Sequence, residues 1–201
     1  MNKLHTKYTW ASLLVIALIL LTGCSKAYEF HGTALTDPPP AAEITGTNWT
    51  GETFHLSEQQ GKVVVAFFGY THCPDVCPMT LANLNAVYKQ LGEQADKVAF
   101  VFIATDPERD TPDQLATYVQ AFNPDFYGVY IPEAELGAVK KAYGVYAEKN
   151  DIDGDPNNDS YFIDHTGSIY VIDPQGKWRL TFPFDVSATD LTEDIKYLLN
   201  G

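Results

Sequence analysis

Cys73 and Cys77 stand four positions apart in the stretch THCPDVCP, residues 71–78, with prolines on either side of the second thiol. A thiolate is both a nucleophile and a soft metal ligand, so a close pair can form a disulfide, trade electrons with a partner, or share an ion. Three residues separate the two, which departs from the two-residue spacing of a Cys-x-x-Cys redox motif. A purely structural disulfide across so short a loop would remove little chain entropy, because that gain grows with loop length. A metal would need a further donor.

The five histidines are the candidates for that donor. His5 belongs to an N-terminal leader, His31 to a proline-rich segment, and His55 follows a turn and reads as a surface residue. His72 adjoins Cys73 and its side chain is expected to point away from its neighbour's, toward solvent. His165 differs: in YFIDHTGSIYVID it lies between two apolar strand segments, after Asp164 and before a turn at Thr166-Gly167. Spacing alone leaves it open between a hydrogen-bonded hairpin histidine and a metal ligand.

Two acidic stretches also invite a metal. In TDPERDTP, Asp106 and Asp110 look like paired carboxylates, but a strand end, a turn and a helix capped by Thr111 explain the same residues, with Arg109 pairing locally with either acid. The structural explanation is favoured. Residues 151–160, DIDGDPNNDS, resemble a calcium loop only superficially, since the glycine is misplaced for that pattern. They read as a mobile acidic loop leading to His165.

The elements that must position these groups are legible from periodicity. KVVVAFFGY and KVAFVFIATD are continuous apolar runs of the kind buried on both faces of a sheet. Pro78 suits the first position of a helix carrying Leu81, Leu84, Tyr88 and Leu91 and ending at Gly92. Thr111, Pro112 and Gln114 open another helix. A short strand in DFYGVYIP, a helix in EAELGAVKKAYG, two or three strands from YFIDH to RLTF, and a last helix with Leu191, Ile195, Leu198 and Leu199 on one face follow. EITGTNWTGETFHL reads as a hairpin before the first buried strand. Alternating strands and helices define an α/β class, and the order looks like a thioredoxin-like fold with an N-terminal β-hairpin extension. In that plan the cysteine loop lies between a strand end and a helix N-terminus, whose partial positive charge stabilises a thiolate.

The N-terminus reads as an export leader. Lys3 and Lys7 precede a short apolar run, ASLLVIALILL, too short for the roughly 20 residues of a membrane-spanning helix. LTGC resembles a bacterial lipobox, which implies cleavage before Cys24 and lipidation of that residue. An uncleaved anchor is the alternative, and both place the domain outside the cytoplasm, tethered to a membrane. The expected organisation is 1–23 signal peptide, 24–40 lipid-anchored tether and 41–201 folded domain. The net charge is −13, and −15 without residues 1–23, which carry Lys3, Lys7 and no acid. Such an acidic chain has no means of binding nucleic acid through its phosphates and favours cationic partner surfaces.

Taken together, FFGYTHCPDVCPMTL, TDPERDTP and YFIDHTGSIYVIDPQG resemble the Sco/SenC family of copper-binding, thioredoxin-like proteins over roughly residues 40–200. The resemblance implies that Cys73, Cys77 and His165 are ligands of one copper ion, Cu(I) or Cu(II). It implies delivery of copper to the dinuclear centre of cytochrome c oxidase subunit II. Further partners would be a thioredoxin-like reductant or another periplasmic copper chaperone. Soft thiolates select Cu(I), imidazole accepts either copper state, and zinc would also accept these donors. Cys73 and Cys77 alone would suffice for the main alternative, a thiol-disulfide oxidoreductase reducing the oxidase's copper-site cysteines. A peroxidase of the peroxiredoxin kind and a binding module with a structural disulfide rank below it.

Overall fold

The computed structural model describes residues 28–151 and 161–200. The leader, Cys24 and most of the acidic stretch expected to be mobile lie outside the described residues. In chain order the elements are β1 (Thr33–Ala34), β2 (Thr45–Thr47), β3 (Thr53–His55), β4 (Val63–Gly69), α1 (Val76–Leu91), β5 (Val98–Ala104), α2 (Pro112–Gln120) and β6 (Tyr127–Val129). They continue with α3 (Glu133–Tyr143), β7 (Ala147–Asp151), β8 (Tyr161–His165), β9 (Ser168–Ile172), β10 (Trp178–Pro183) and α4 (Ala188–Asn200).

Six strands form one sheet in the order β1-β10-β9-β4-β5-β6. β4, β5 and β6 run parallel, and β9 pairs antiparallel with β4. Every residue of β4 and β5 is buried. Val63, Val65 and Phe67 face a cluster with Leu81, Leu84, Leu115 and Ile195, from α1, α2 and α4. Val64, Ala66 and Phe68 face Leu136 and Tyr143 of α3 and Phe54 of the β2–β3 hairpin. Helices cover both faces of the strands, which is why those strands read as unbroken apolar runs. This is the expected thioredoxin-like α/β plan with its hairpin extension. Among the described residues no helix is long and apolar enough to cross a membrane.

Local details differ from the sequence expectation in three places. α1 starts at Val76, so Pro78 is its third residue and Cys77 its second. The first helical N–H groups have no intrahelical partner, so proline costs nothing there and does not mark the start. β7, with the sequence AEKND, was not expected as a strand; it is polar and lacks β-branched residues, and it exists by pairing with β8. The third difference concerns residues 28–40, read from their prolines as a spacer: they are extended but also packed on the domain. β1 pairs with β10, Tyr28 stacks on Tyr197 with ring centroids 3.9 Å apart, and Gly32 lies where a Cβ would meet the Phe182 ring at 2.5 Å.

The strap is fastened by Asp194 of α4, a fully buried carboxylate. It accepts hydrogen bonds from the Tyr28 hydroxyl at 2.7 Å and from the backbone N–H groups of His31 and Gly32, both at 2.9 Å. Replacing Asp194 by Ala would leave those donors without their acceptor. The expected loss is about 2–4 kcal/mol in urea unfolding, against about 1 kcal/mol for Tyr28→Phe. Equal midpoints for wild type and Asp194→Ala would show the strap to be energetically idle.

Candidate metal centre

The cysteine loop leaves the C-terminal end of β4 and enters α1. Gly69, the last residue of β4, is required there: a Cβ would stand 2.6 Å from Cys77 Sγ and 2.9 Å from the Phe102 ring. The space it leaves lets Cys77 sit fully buried against the strand end, while Cys73 remains partly exposed. Cys77, in the first turn of α1, donates its backbone N–H to Cys73 Sγ at 3.4 Å. Asp75, at the helix N-cap, makes no side-chain cap bond, so Cys73 sulfur takes the place a capping oxygen would fill.

The two thiols are therefore not equivalent. A hydrogen bond from the Cys77 side chain is the main influence holding Cys73 well below the ordinary thiol range, against the opposing effect of partial burial. Burial, followed by that same bond, pushes the Cys77 thiol up. The surroundings thus favour a thiolate at Cys73 and a thiol at Cys77.

His165, at the end of β8, completes the constellation. Its Nε2 lies 3.5 Å from Cys77 Sγ, and the ligand atoms of Cys73, Cys77 and His165 all fall within 4.8 Å of one another. The ring stands edge-on to Tyr70 and Phe67, with centroids 5.7 and 6.1 Å away. His165 Nδ1 is 3.2 Å from the carbonyl oxygen of Thr166. A carbonyl only accepts, so Nδ1 donates to it when it carries the ring proton, and Nε2 is the nitrogen turned toward the sulfurs. The backbone carbonyl behind the ring fixes its orientation toward the sulfurs, as a partner behind a ligating imidazole does. Two sulfurs and one nitrogen leave a side open, beneath a depression bordered by Pro74, Val76 and the exposed Phe162.

Of the other histidines, His72 is exposed, as expected, with Nδ1 3.1 Å from Thr71 Oγ1. His31 lies on the strap against Glu193, and His55 on the hairpin beside Thr45. The TDPERDTP stretch does what the structural reading expects and more. Thr111 and Gln114 form a reciprocal capping box at the start of α2. Arg109 Nε meets Asp106 at 2.6 Å. What sequence reasoning missed is that both acids are buried and reach out of their own loop. Asp110 accepts from the Thr71 N–H at 3.1 Å and from its hydroxyl at 2.5 Å, two residues before Cys73, and burial pushes its carboxyl pKa up. Asp106 accepts from the Tyr161 hydroxyl at 2.8 Å, four residues before His165. A polar stretch beside proline signals a turn and a cap, and nothing in its pattern signals burial.

The profile of the SCO1/SenC family matches residues 38–200. A SCO2-like protein of Rickettsia felis is 31% identical over 197 residues, covering 91% of this chain and 95% of that protein. Bradyrhizobium japonicum ScoI, solved with copper bound, is 34% identical with a TM-score of 0.72, covering 80% of this chain and 99% of that one. A SCO1/SenC family lipoprotein of Bacillus anthracis is 27% identical with a TM-score of 0.68, covering 82% and 99%.

The inequality of the thiols is measurable in the reduced, metal-free protein. An ordinary thiol loses about tenfold in thiolate, and in alkylation rate, for each pH unit below its pKa of roughly 8.5. Cys73, held below that range, stays ionised, so its alkylation by iodoacetamide is expected to change less than about twofold between pH 8 and pH 6. Cys77 should remain unlabelled until the protein unfolds. Peptide mapping that found both thiols labelled at the same rate, with the ordinary pH slope, would contradict this description.

Proposed function

The chain belongs to the SCO1/SenC family, and on that premise we propose that it is a copper metallochaperone of cytochrome c oxidase assembly. In this reading it binds one copper ion through Cys73, Cys77 and His165 and delivers it to the dinuclear centre of oxidase subunit II. The observation that carries the reading is convergence: side chains from the cysteine loop, from α1 and from β8 bring two sulfurs and one imidazole nitrogen within 4.8 Å of one another. The similar ScoI of Bradyrhizobium japonicum has been solved with copper bound. Soft sulfur donors suit Cu(I), and the imidazole lets the same set hold Cu(II). Metal loading displaces the Cys77 thiol proton, and the open side lets a receiving thiolate attack before the departing bonds break. Localisation follows the leader: Cys24 carries lipid, and the domain works outside the cytoplasmic membrane, in keeping with the similar Bacillus anthracis protein being a lipoprotein.

The inequality of the cysteines supports a second reading, reduction of the oxidase's copper-site cysteines. Cys73 is an accessible thiolate suited to attack a partner disulfide, and the buried Cys77 is placed to resolve the mixed disulfide. The balance is two-electron: the partner disulfide becomes two thiols and Cys73–Cys77 becomes the disulfide. Copper loading requires the reduced pair, so the two activities exclude each other in one molecule at one moment.

Copper titration of the folded domain with X-ray absorption separates the readings. His165→Ala is expected to weaken Cu(II) binding by at least about tenfold, or 1.4 kcal/mol, and to remove the nitrogen scatterer. Cu(I) binding should suffer less, because both thiolates remain. Cys73→Ser should abolish high-affinity binding of either state. Unchanged affinity and spectrum in His165→Ala would sink the three-donor site, while disulfide reductase activity surviving in that variant would favour the second reading.

A further inference from the structure

β8 belongs to a two-stranded sheet with β7, hydrogen-bonded as a ribbon separate from the six-stranded sheet. Isolated two-stranded ribbons are marginal in water, so the direction His165 faces depends on what fastens the ribbon to the domain. Along β8 the side chains alternate: Tyr161 and Ile163 are buried and His165 is turned inward with them, while Phe162 and Asp164 are exposed. Tyr161 and His165 thus share a face, four residues or about 13 Å apart. A rotation of the strand that freed Tyr161 would turn His165 away from the cysteines.

Tyr161 is the most elaborately held residue of the ribbon. Its hydroxyl donates to Asp106 at 2.8 Å, and Asp106 is buried. The Arg109 guanidinium lies 3.4 Å from the Tyr161 ring centroid and donates from Nη1 to the Tyr161 carbonyl at 3.1 Å. Arg109 is itself tied to Asp106 at 2.6 Å. Ring, hydroxyl and backbone of one residue are gripped by two side chains of the loop after β5. The same loop, through Asp110, holds Thr71 at the cysteine end.

We propose that Tyr161 is a positioning residue for His165, gripped by Asp106 and Arg109 so that the β7–β8 ribbon presents the imidazole to Cys73 and Cys77. The copper part of this inference rests on the reading of those three residues as the copper site. The placement of the ring does not.

The test uses Tyr161→Leu, which keeps apolar bulk but loses ring and hydroxyl, and Tyr161→Phe, which keeps the ring for Arg109. Two readouts are taken on the folded protein. In the metal-free state, NMR should show cross-relaxation between the His165 ring and the rings of Tyr70 and Phe67 in wild type. It should be weakened in Tyr161→Phe and absent in Tyr161→Leu. With Cu(II), the electron paramagnetic resonance signal of Tyr161→Leu should lose its single-nitrogen splitting, with affinity down about tenfold, and Tyr161→Phe should recover most of both. Wild-type ring contacts in Tyr161→Leu would overturn the proposal whatever copper does. If wild type binds no copper but the ring contacts respond as described, the copper reading falls and the positioning role stands. If Tyr161→Leu does not fold, Tyr161→Phe decides by the same ring contacts, and full wild-type intensity there overturns the proposal.

Discussion

Asp106 and Asp110 are carboxylates withdrawn from water, and a buried carboxylate is tolerable only where donors meet it. Asp110 is met by Thr71 on the way into the cysteine loop, Asp106 by Tyr161 on the way to the histidine and by Arg109 between them. The two halves of the candidate site come from chain segments 88 residues apart, and among the described residues the ribbon that carries His165 is not paired with the main sheet. The acids supply the missing rigidity. They make the site a triangle braced from one loop, with sulfurs at one corner and imidazole at another.

Within that brace, the chemistry depends on where the protons sit. A hydrogen bond from the Cys77 side chain, helped by backbone N–H groups at the helix start, favours a negative Cys73, burial favours a neutral Cys77, and the Thr166 carbonyl holds the imidazole from behind. The resulting set is one sulfur held toward its charged form, one held toward its neutral form, and an imidazole nitrogen beside them. It is prepared to take either a soft cation or a partner's sulfur, with little rearrangement of the protein.

Much of this was legible in the sequence, for identifiable reasons. β4 and β5 are buried on both faces, so their apolar runs are unbroken; the Thr111 cap and Gln114 are a local pattern and formed locally. Cysteine and histidine are rare in this chain, so few candidates competed, but spacing alone left His165 open; the resemblance singled out Cys73, Cys77 and His165, and the structure brings their ligand atoms within 4.8 Å of one another. What stayed hidden is long-range. β7 has no pattern of its own and takes its form from β8. The burial of Asp106 and Asp110, the space at Gly69 and the strap's hold on Asp194 each depend on residues distant in sequence. The start of α1 was misplaced because proline marks the first turn of a helix rather than its first residue.

The strap gives the molecule a polarity. α1 begins at the cysteines, and its Gln90 carbonyl accepts from Lys196 of α4, so the far end of α1 lies beside the far end of α4. From Cys77 to Gln90 the helix spans about 20 Å. Tyr28 stacks on Tyr197, the residue after Lys196, so the described chain enters the domain at that far end. Asp194 clamps Tyr28, His31 and Gly32 in place, so this end of the described chain is fixed to the base of the domain. The start of the described chain and the cysteine–histidine cluster therefore sit at opposite ends of α1, and anything joined to one is kept a helix's length from the other.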